Sequence, residues 1–147
     1  MATQPPGAVI AAAQAAHAQW HIPASALLAQ WALESDWGRR EPPGSNNPFG
    51  EKSLPGAPGV TAPTTEVEGG RTIDTDATFR AFPSLAAAFD FHAAHLAESR
   101  FFTRARACLP DVPGFCRGLS GVYATDPAYG EKLIDIINGS DLEAYDS

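Results

Sequence analysis

The stretch Ala29-Gln-Trp-Ala-Leu-Glu-Ser-Asp-Trp-Gly38 decides how the chain is read, because Glu34 stands where a helical pattern asks for an apolar residue. Leu27, Leu28, Trp31 and Glu34 recur at three- and four-residue spacing, which places them on one helix face. Gly38 suits a helix end, so Glu34 falls in the last turn, where the negative end of the helix dipole opposes an anion. Burial along the stripe opposes the ionised form as well, and both influences favour a carboxyl that keeps its proton. That is the state a general acid needs. The competing reading is an ion pair with Arg39 or Arg40 that carries no chemistry.

Around this helix the chain reads as one domain over residues 1–147. At 147 residues and 44% hydrophobic content it can bury a core, with little room for a second one. The Ala-rich run Gly7 to Trp20 predicts a first helix, closed by Pro23, and the Glu34 helix opens near Ser25. From Arg39 to Pro63 the density of Pro, Gly, Ser and Asn predicts a long loop, which in a small domain is usually functional. Thr64–Glu68 and Arg71–Arg80 flank Gly69-Gly70 and predict a β-hairpin, a lobe over about residues 62–80. Helices return with Ser84 as a cap, then near Phe101, over Val112–Gly121 and over Pro127–Asn138. Asp141 to Ser147 reads as a short acidic tail.

Composition removes several functional classes. A formal charge of -7, from 10 Lys and Arg against 17 Asp and Glu, argues against nucleic acid as a partner. No apolar run approaches the roughly 20 residues that span a bilayer, so no membrane insertion is expected. Met1-Ala-Thr-Gln-Pro-Pro6 lacks the basic region and apolar core of a cleavable signal, and the expectation is synthesis in the cytoplasm with some other route of delivery. Cys108 and Cys116 flank a Pro- and Gly-containing turn. A disulfide there would contribute about 2–3 kcal/mol, and two small buried thiols are the equal alternative. His17 with His21 and His92 with His95 have helical spacing but no third ligand in register, so no metal and no cofactor is expected.

Several motifs now fall into one order. Ala29–Gly38, Asn47-Pro-Phe-Gly50 followed by Lys52, Thr65-Glu66, Phe79-Arg80, and Tyr123-Ala-Thr-Asp-Pro-Ala-Tyr129 with Lys132-Leu133 resemble family 73 glycoside hydrolases. These are bacterial and phage N-acetylglucosaminidases of the kind fused to the flagellar rod-cap protein. The resemblance runs from about Val9 to Ile137. It implies an α+β, mainly α fold, a lysozyme-like helical domain with a small β-hairpin lobe that cleaves the glycan strands of peptidoglycan.

The resemblance also implies roles. Glu34 matches the general acid, in agreement with the helix pattern. Glu66 on the hairpin matches a second catalytic carboxylate, and Glu68, two residues on, faces the same way in an alternating strand. The substrate's own acetamido group is a third candidate for that second role, and inversion and retention both stay open. Tyr123 matches a cleft tyrosine near the acid. Trp37 and Tyr129 are candidate sugar-stacking residues, and Asn47 and Phe49 are expected to shape the cleft floor. The chain departs from the family pattern at Asp36, Pro48 and Glu51, where small or aliphatic residues are usual, and Asp36 is expected to add negative charge beside Glu34.

The implied activity is endo-β-N-acetylglucosaminidase cleavage between N-acetylglucosamine and N-acetylmuramic acid by a monomer, with peptidoglycan strands as partner. The alternatives are a muramidase or lytic transglycosylase on the same scaffold, or a non-catalytic glycan-binding or phage-structural module. A phage endolysin released through a holin fits the missing signal. So does an effector delivered by a secretion machine, which would bring an immunity protein as a further partner, and either route ends in the periplasm or cell wall.

Overall fold

The computed structural model describes residues 3–147, and the side chains of residues 66–68 lie outside that description. Helix α1, Gly7–Trp20, follows the Ala-rich run, and His21 closes it in a left-handed conformation. Pro23 then caps α2, Ala24–Ser35, its fixed φ being compatible with helix entry.

Helix α2 is the centre of the molecule. Every residue from Ala24 to Ala32 is buried, so the expected one-sided stripe is corrected: this helix is covered all round and Glu34 emerges only in its last turn. The helix also stops three residues before Gly38. Asp36 and Trp37 take φ values of 50° and 58°, and the Asp36 N–H returns to the Ala32 carbonyl. Ser35 secures this end. Its hydroxyl donates to the Trp31 carbonyl at 2.5 Å and accepts from the Gly38 N–H at 2.9 Å.

Strands β1, Gly59–Glu68, and β2, Arg71–Arg80, form the antiparallel hairpin, with Glu68 opposite Arg71 across the Gly69-Gly70 turn. The first strand begins five residues before the expected Thr64, because Gly59 to Pro63 pair with Asp76 to Arg80 at the hairpin base. Only Ala62 and Phe79 of the described hairpin side chains are buried, so the base is anchored and the rest stands in solvent.

The long loop is tied to that base. Asn47 donates to the carbonyls of Glu51 (2.7 Å) and Arg80 (2.9 Å) and accepts from the Glu51 N–H (3.2 Å). Arg80 N–H donates to the Glu51 carbonyl and Ser53 N–H to that of Thr78, which lays residues 51–53 along the edge of β2.

Helix α3, Leu85–Glu98, starts at Ser84, whose hydroxyl accepts from the Ala87 N–H. It packs on α1. After a 3₁₀ turn, Arg100–Phe102, come α4, Thr103–Ala107, α5, Val112–Gly118, and α6, Tyr129–Gly139. Helix α6 lies on α2 and α5. The α5–α6 contact needs Gly130, where a Cβ would stand 2.5 Å from the Cys116 carbonyl oxygen. The acidic tail expected at the end is instead a docked 3₁₀ turn, Leu142–Asp146: Leu142 is buried, and the Asp146 carboxylate accepts from the Ser25 N–H (2.7 Å) and hydroxyl (2.6 Å).

Candidate active site

A groove crosses the molecule with Glu34 at its middle. On the hairpin side its cavity of about 730 Å³ is walled by Arg40, Glu41, Thr64 and Thr65, and on the helical side a cavity of about 580 Å³ is walled by Glu51, Phe101, Val122 and Tyr123. Glu34, Phe49, Gly50 and Lys52 belong to both lobes. The glutamate is therefore reached from either side.

Glu34 opens to solvent along the groove and is enclosed by protein elsewhere. This burial pushes its carboxyl above the ordinary range, against a hydrogen bond from Tyr129 that lowers it, and the negative charge of Glu51 raises it further. Asp36 does not supply that charge. It is held low by the Arg39 guanidinium, 3.0 Å away, so the competing reading of a Glu34–Arg39 pair and the expected Asp36 influence both give way to an Asp36–Arg39 pair.

Tyr129 was expected against sugar and is found behind the acid. It is 3% exposed, and its hydroxyl donates to Glu34 Oε1 at 3.1 Å and accepts from Gln30 Nε2 at 3.0 Å. Gln30 Oε1 meets His92 Nε2 at 2.7 Å, and His92 Nδ1 meets Glu51 Oε1 at 3.1 Å. Three side chains, Tyr129 from α6, Gln30 from α2 and His92 from α3, thus connect Glu34 to a second groove carboxylate on the loop.

Aromatic rings enclose this connection. Phe49 stacks on His92 with centroids 4.0 Å apart and planes 6° apart, Tyr123 meets His92 edge-on at 5.5 Å, and Tyr123 stacks on Tyr129 at 5.4 Å. Burial pushes the Tyr123 phenol well up, aided by the nearby carboxyl groups of Glu34 and Glu51, so it stays a neutral hydrogen-bonding group. Burial also lowers His92, against the Glu51 hydrogen bond that raises it. Glu51 is likewise pushed up by burial, but the hydrogen bond to His92 and the nearby Arg80 charge help to outweigh this and hold it below the ordinary range.

The other expected site residues divide. Phe49 and Tyr123 line the groove. Asn47 is fully buried and ties backbone together, so it builds the floor without touching a ligand. Trp37 sits edge-on to Trp31 at 5.7 Å, bracing the end of α2. Glu66 and Glu68 have their side chains outside the described residues, although the neighbouring Thr64 and Thr65 line the hairpin lobe. Gln30, His92 and Glu51 were missed as a group, and the one signal was Glu51, an acid where a small aliphatic residue is usual. No group of three or more metal-ligating side chains occurs among the described residues.

A family model described as Glucosaminidase, mannosyl-glycoprotein endo-beta-N-acetylglucosaminidase, matches residues 10–142. The chain belongs to the glucosaminidase family. Among its relatives, the exo-glucosaminidase LytG of Bacillus subtilis (strain 168) is 31% identical over 140 residues, which cover 91% of this chain and 50% of LytG. The chain spans about half the length of the curated relatives it matches, or less. Of the solved structures, a peptidoglycan hydrolase mutant from Sphingomonas sp. A1 superposes with a TM-score of 0.79 at 34% identity, covering 94% of each chain. The catalytic domain of the autolysin Auto from Listeria monocytogenes gives 0.85 at 27% identity, covering 99% of this chain and 91% of that one. The lysozyme-like arrangement of helices with a hairpin lobe is thus the glucosaminidase-family fold here too.

Proposed function

We propose that this chain is a glucosaminidase catalytic domain that hydrolyses the β-1,4 bond between N-acetylglucosamine and N-acetylmuramic acid in peptidoglycan, with Glu34 as general acid. The observation that carries this reading is the position of Glu34: a carboxyl with a raised pKa, hydrogen-bonded by Tyr129, midway along an open groove. A neutral carboxylic acid there protonates the departing glycosidic oxygen as positive charge develops on the sugar ring. Lobes on both sides of Glu34 support endo action, since a glycan strand has room to continue past the cleavage point in each direction. One chain builds both lobes, which supports action as a monomer.

Tyr123 faces the groove beside the acid and is assigned to hydrogen bonding with the sugar. Glu66 remains the candidate second catalytic carboxylate: its strand carries Thr64 and Thr65 into the hairpin lobe. No helix among the described residues is long and apolar enough to cross a membrane. Action on the cell wall or in the periplasm follows from the substrate.

Digestion of purified sacculi tests the reaction. Mass spectrometry should find reducing-end N-acetylglucosamine; reducing-end muramic acid would assign a muramidase, anhydromuramic acid a lytic transglycosylase, and binding without cleavage a silent glycan-binding module.

A further inference from the structure

The connection from Glu34 to Glu51 contains four contacts: Glu34–Tyr129, Tyr129–Gln30, Gln30–His92 and His92–Glu51. Each needs one proton between its two heavy atoms. With both carboxylates ionised and His92 neutral, Tyr129, Gln30 and His92 supply one apiece along this line, which is one too few. Two lone pairs must then face each other somewhere along a line whose middle is buried, Gln30 and His92 being 0% exposed and Tyr129 3%, and whose two end contacts are part-buried. A fourth proton removes the conflict.

Where that proton sits depends on the Gln30 amide, which can turn by 180° within the same contacts and exchange its oxygen and nitrogen. With Nε2 toward Tyr129, the tyrosine donates to Glu34, His92 donates from Nε2 to Gln30 Oε1, and the extra proton lies between His92 Nδ1 and Glu51. With Nε2 toward His92, the ring accepts at Nε2 and donates from Nδ1 to ionised Glu51. Tyr129 then donates to Gln30 Oε1, and its oxygen accepts from protonated Glu34. The proton count is the same in both. The second arrangement is the one in which Glu34 holds the proton that glycoside cleavage uses.

We propose that Gln30, His92 and Glu51 are positioning residues for Glu34: together with Tyr129 they form a chain one proton short, and Glu51 at its far end directs the missing proton onto Glu34. This rests on Glu34 being the proton donor. Glu51 is suited to the task because its side chain is 22% exposed at the groove while its carboxylate stays ionised. Burial likewise keeps His92 neutral, as the second arrangement requires. The other charged groups facing this region are Arg80 and His95 toward Glu51, and Arg40, Glu41 and Lys52 along the groove by Glu34. Tyr123 covers His92 and Tyr129. None of these makes any of the four contacts.

Nuclear magnetic resonance on the free protein tests the chain independently of any activity. While Glu34 is protonated, the ¹⁵N signals of His92 should report a neutral ring with its proton on Nδ1, and they should shift as Glu34 titrates. In Glu51→Gln the new amide can donate to His92 Nδ1 and complete the chain itself, so the Glu34 midpoint should move to lower pH. The ratio of turnover at pH 7 to that at pH 5 should then fall roughly three- to tenfold. In a Gln30→Leu background that is folded by thermal denaturation, the same Glu51→Gln change should move Glu34 less. A wild-type His92 protonated on Nε2 while Glu34 holds its proton overturns the proposal, as does a Glu34 midpoint unmoved by Glu51→Gln. Absence of glycan cleavage with the expected His92 signals would instead count against the proposed reaction and leave the chain standing.

Discussion

The Tyr129 hydroxyl lies 3.1 Å from Glu34 Oε1, although 95 positions separate the two residues in the chain. This contact joins the end of α2 to the start of α6 at the middle of the groove, so the geometry of the acid depends on how α6 docks. Gly130, which lets α6 approach α5 closely, contributes to that docking from the next position along.

Replacing Tyr129 with Phe should therefore act in two ways. Loss of the hydroxyl removes the contact that orients the acid, so turnover should fall roughly tenfold or more. Gln30 Nε2 loses its partner, at a cost of about 1–3 kcal/mol. Turnover, with denaturant unfolding, checks both, and unchanged turnover would mean that the contact is not felt in solution.

Asn47→Ala should destabilise without removing any group that reaches substrate. It leaves the part-buried Arg80 carbonyl and Glu51 N–H without the Asn47 contact and the Glu51 carbonyl with the Arg80 N–H alone, a loss of roughly 2–4 kcal/mol in urea unfolding. Residual folded protein should keep much of its turnover, whereas loss of turnover with full stability would contradict a floor-building role.

The cysteines are free, not bridged: Cys108 is exposed and Cys116 buried, its thiol pushed up to about 12 chiefly by that burial. A thiol reagent at neutral pH should modify one cysteine in native protein and two in guanidinium. Two unreactive cysteines in unreduced, denatured protein would restore the disulfide.

Stability should respond to pH with opposing signs. Glu51 and His92 have folded pKa values below their ordinary 4.5 and 6.5, so on acidification through those values the unfolded chain binds protons first and stability falls. Glu34, raised from 4.5, acts the other way: its ionisation above that value destabilises the fold. Glu34→Gln should accordingly raise the Tm at pH 7 and lose that advantage below pH 4, as followed by circular dichroism.

Much of this fold was legible from local chemistry. Ser84 capped α3 as expected, Pro23 separated α1 from α2, and Gly69-Gly70 turned the hairpin, because each depends on a few neighbouring residues. The part that stayed hidden is non-local. Nothing in the spacing of Gln30, Glu51, His92 and Tyr129 announces that they meet, since four separate segments bring them together. The same reason hid the C-terminal turn, which read as a short acidic tail and is docked by two donors from Ser25 to Asp146. Glu34 was visible because one side chain broke a helical pattern, while its actual neighbours, Tyr129 in place of Arg39 and Glu51 in place of Asp36, required the packed molecule.

Glycan release from sacculi by wild type and by Glu34→Gln is the most direct measurement of the central assignment. Wild type should release fragments ending in reducing N-acetylglucosamine, and the variant, folded and still binding sacculi, should be slower by about 100-fold or more. Equal release by the two proteins would contradict Glu34 as the acid.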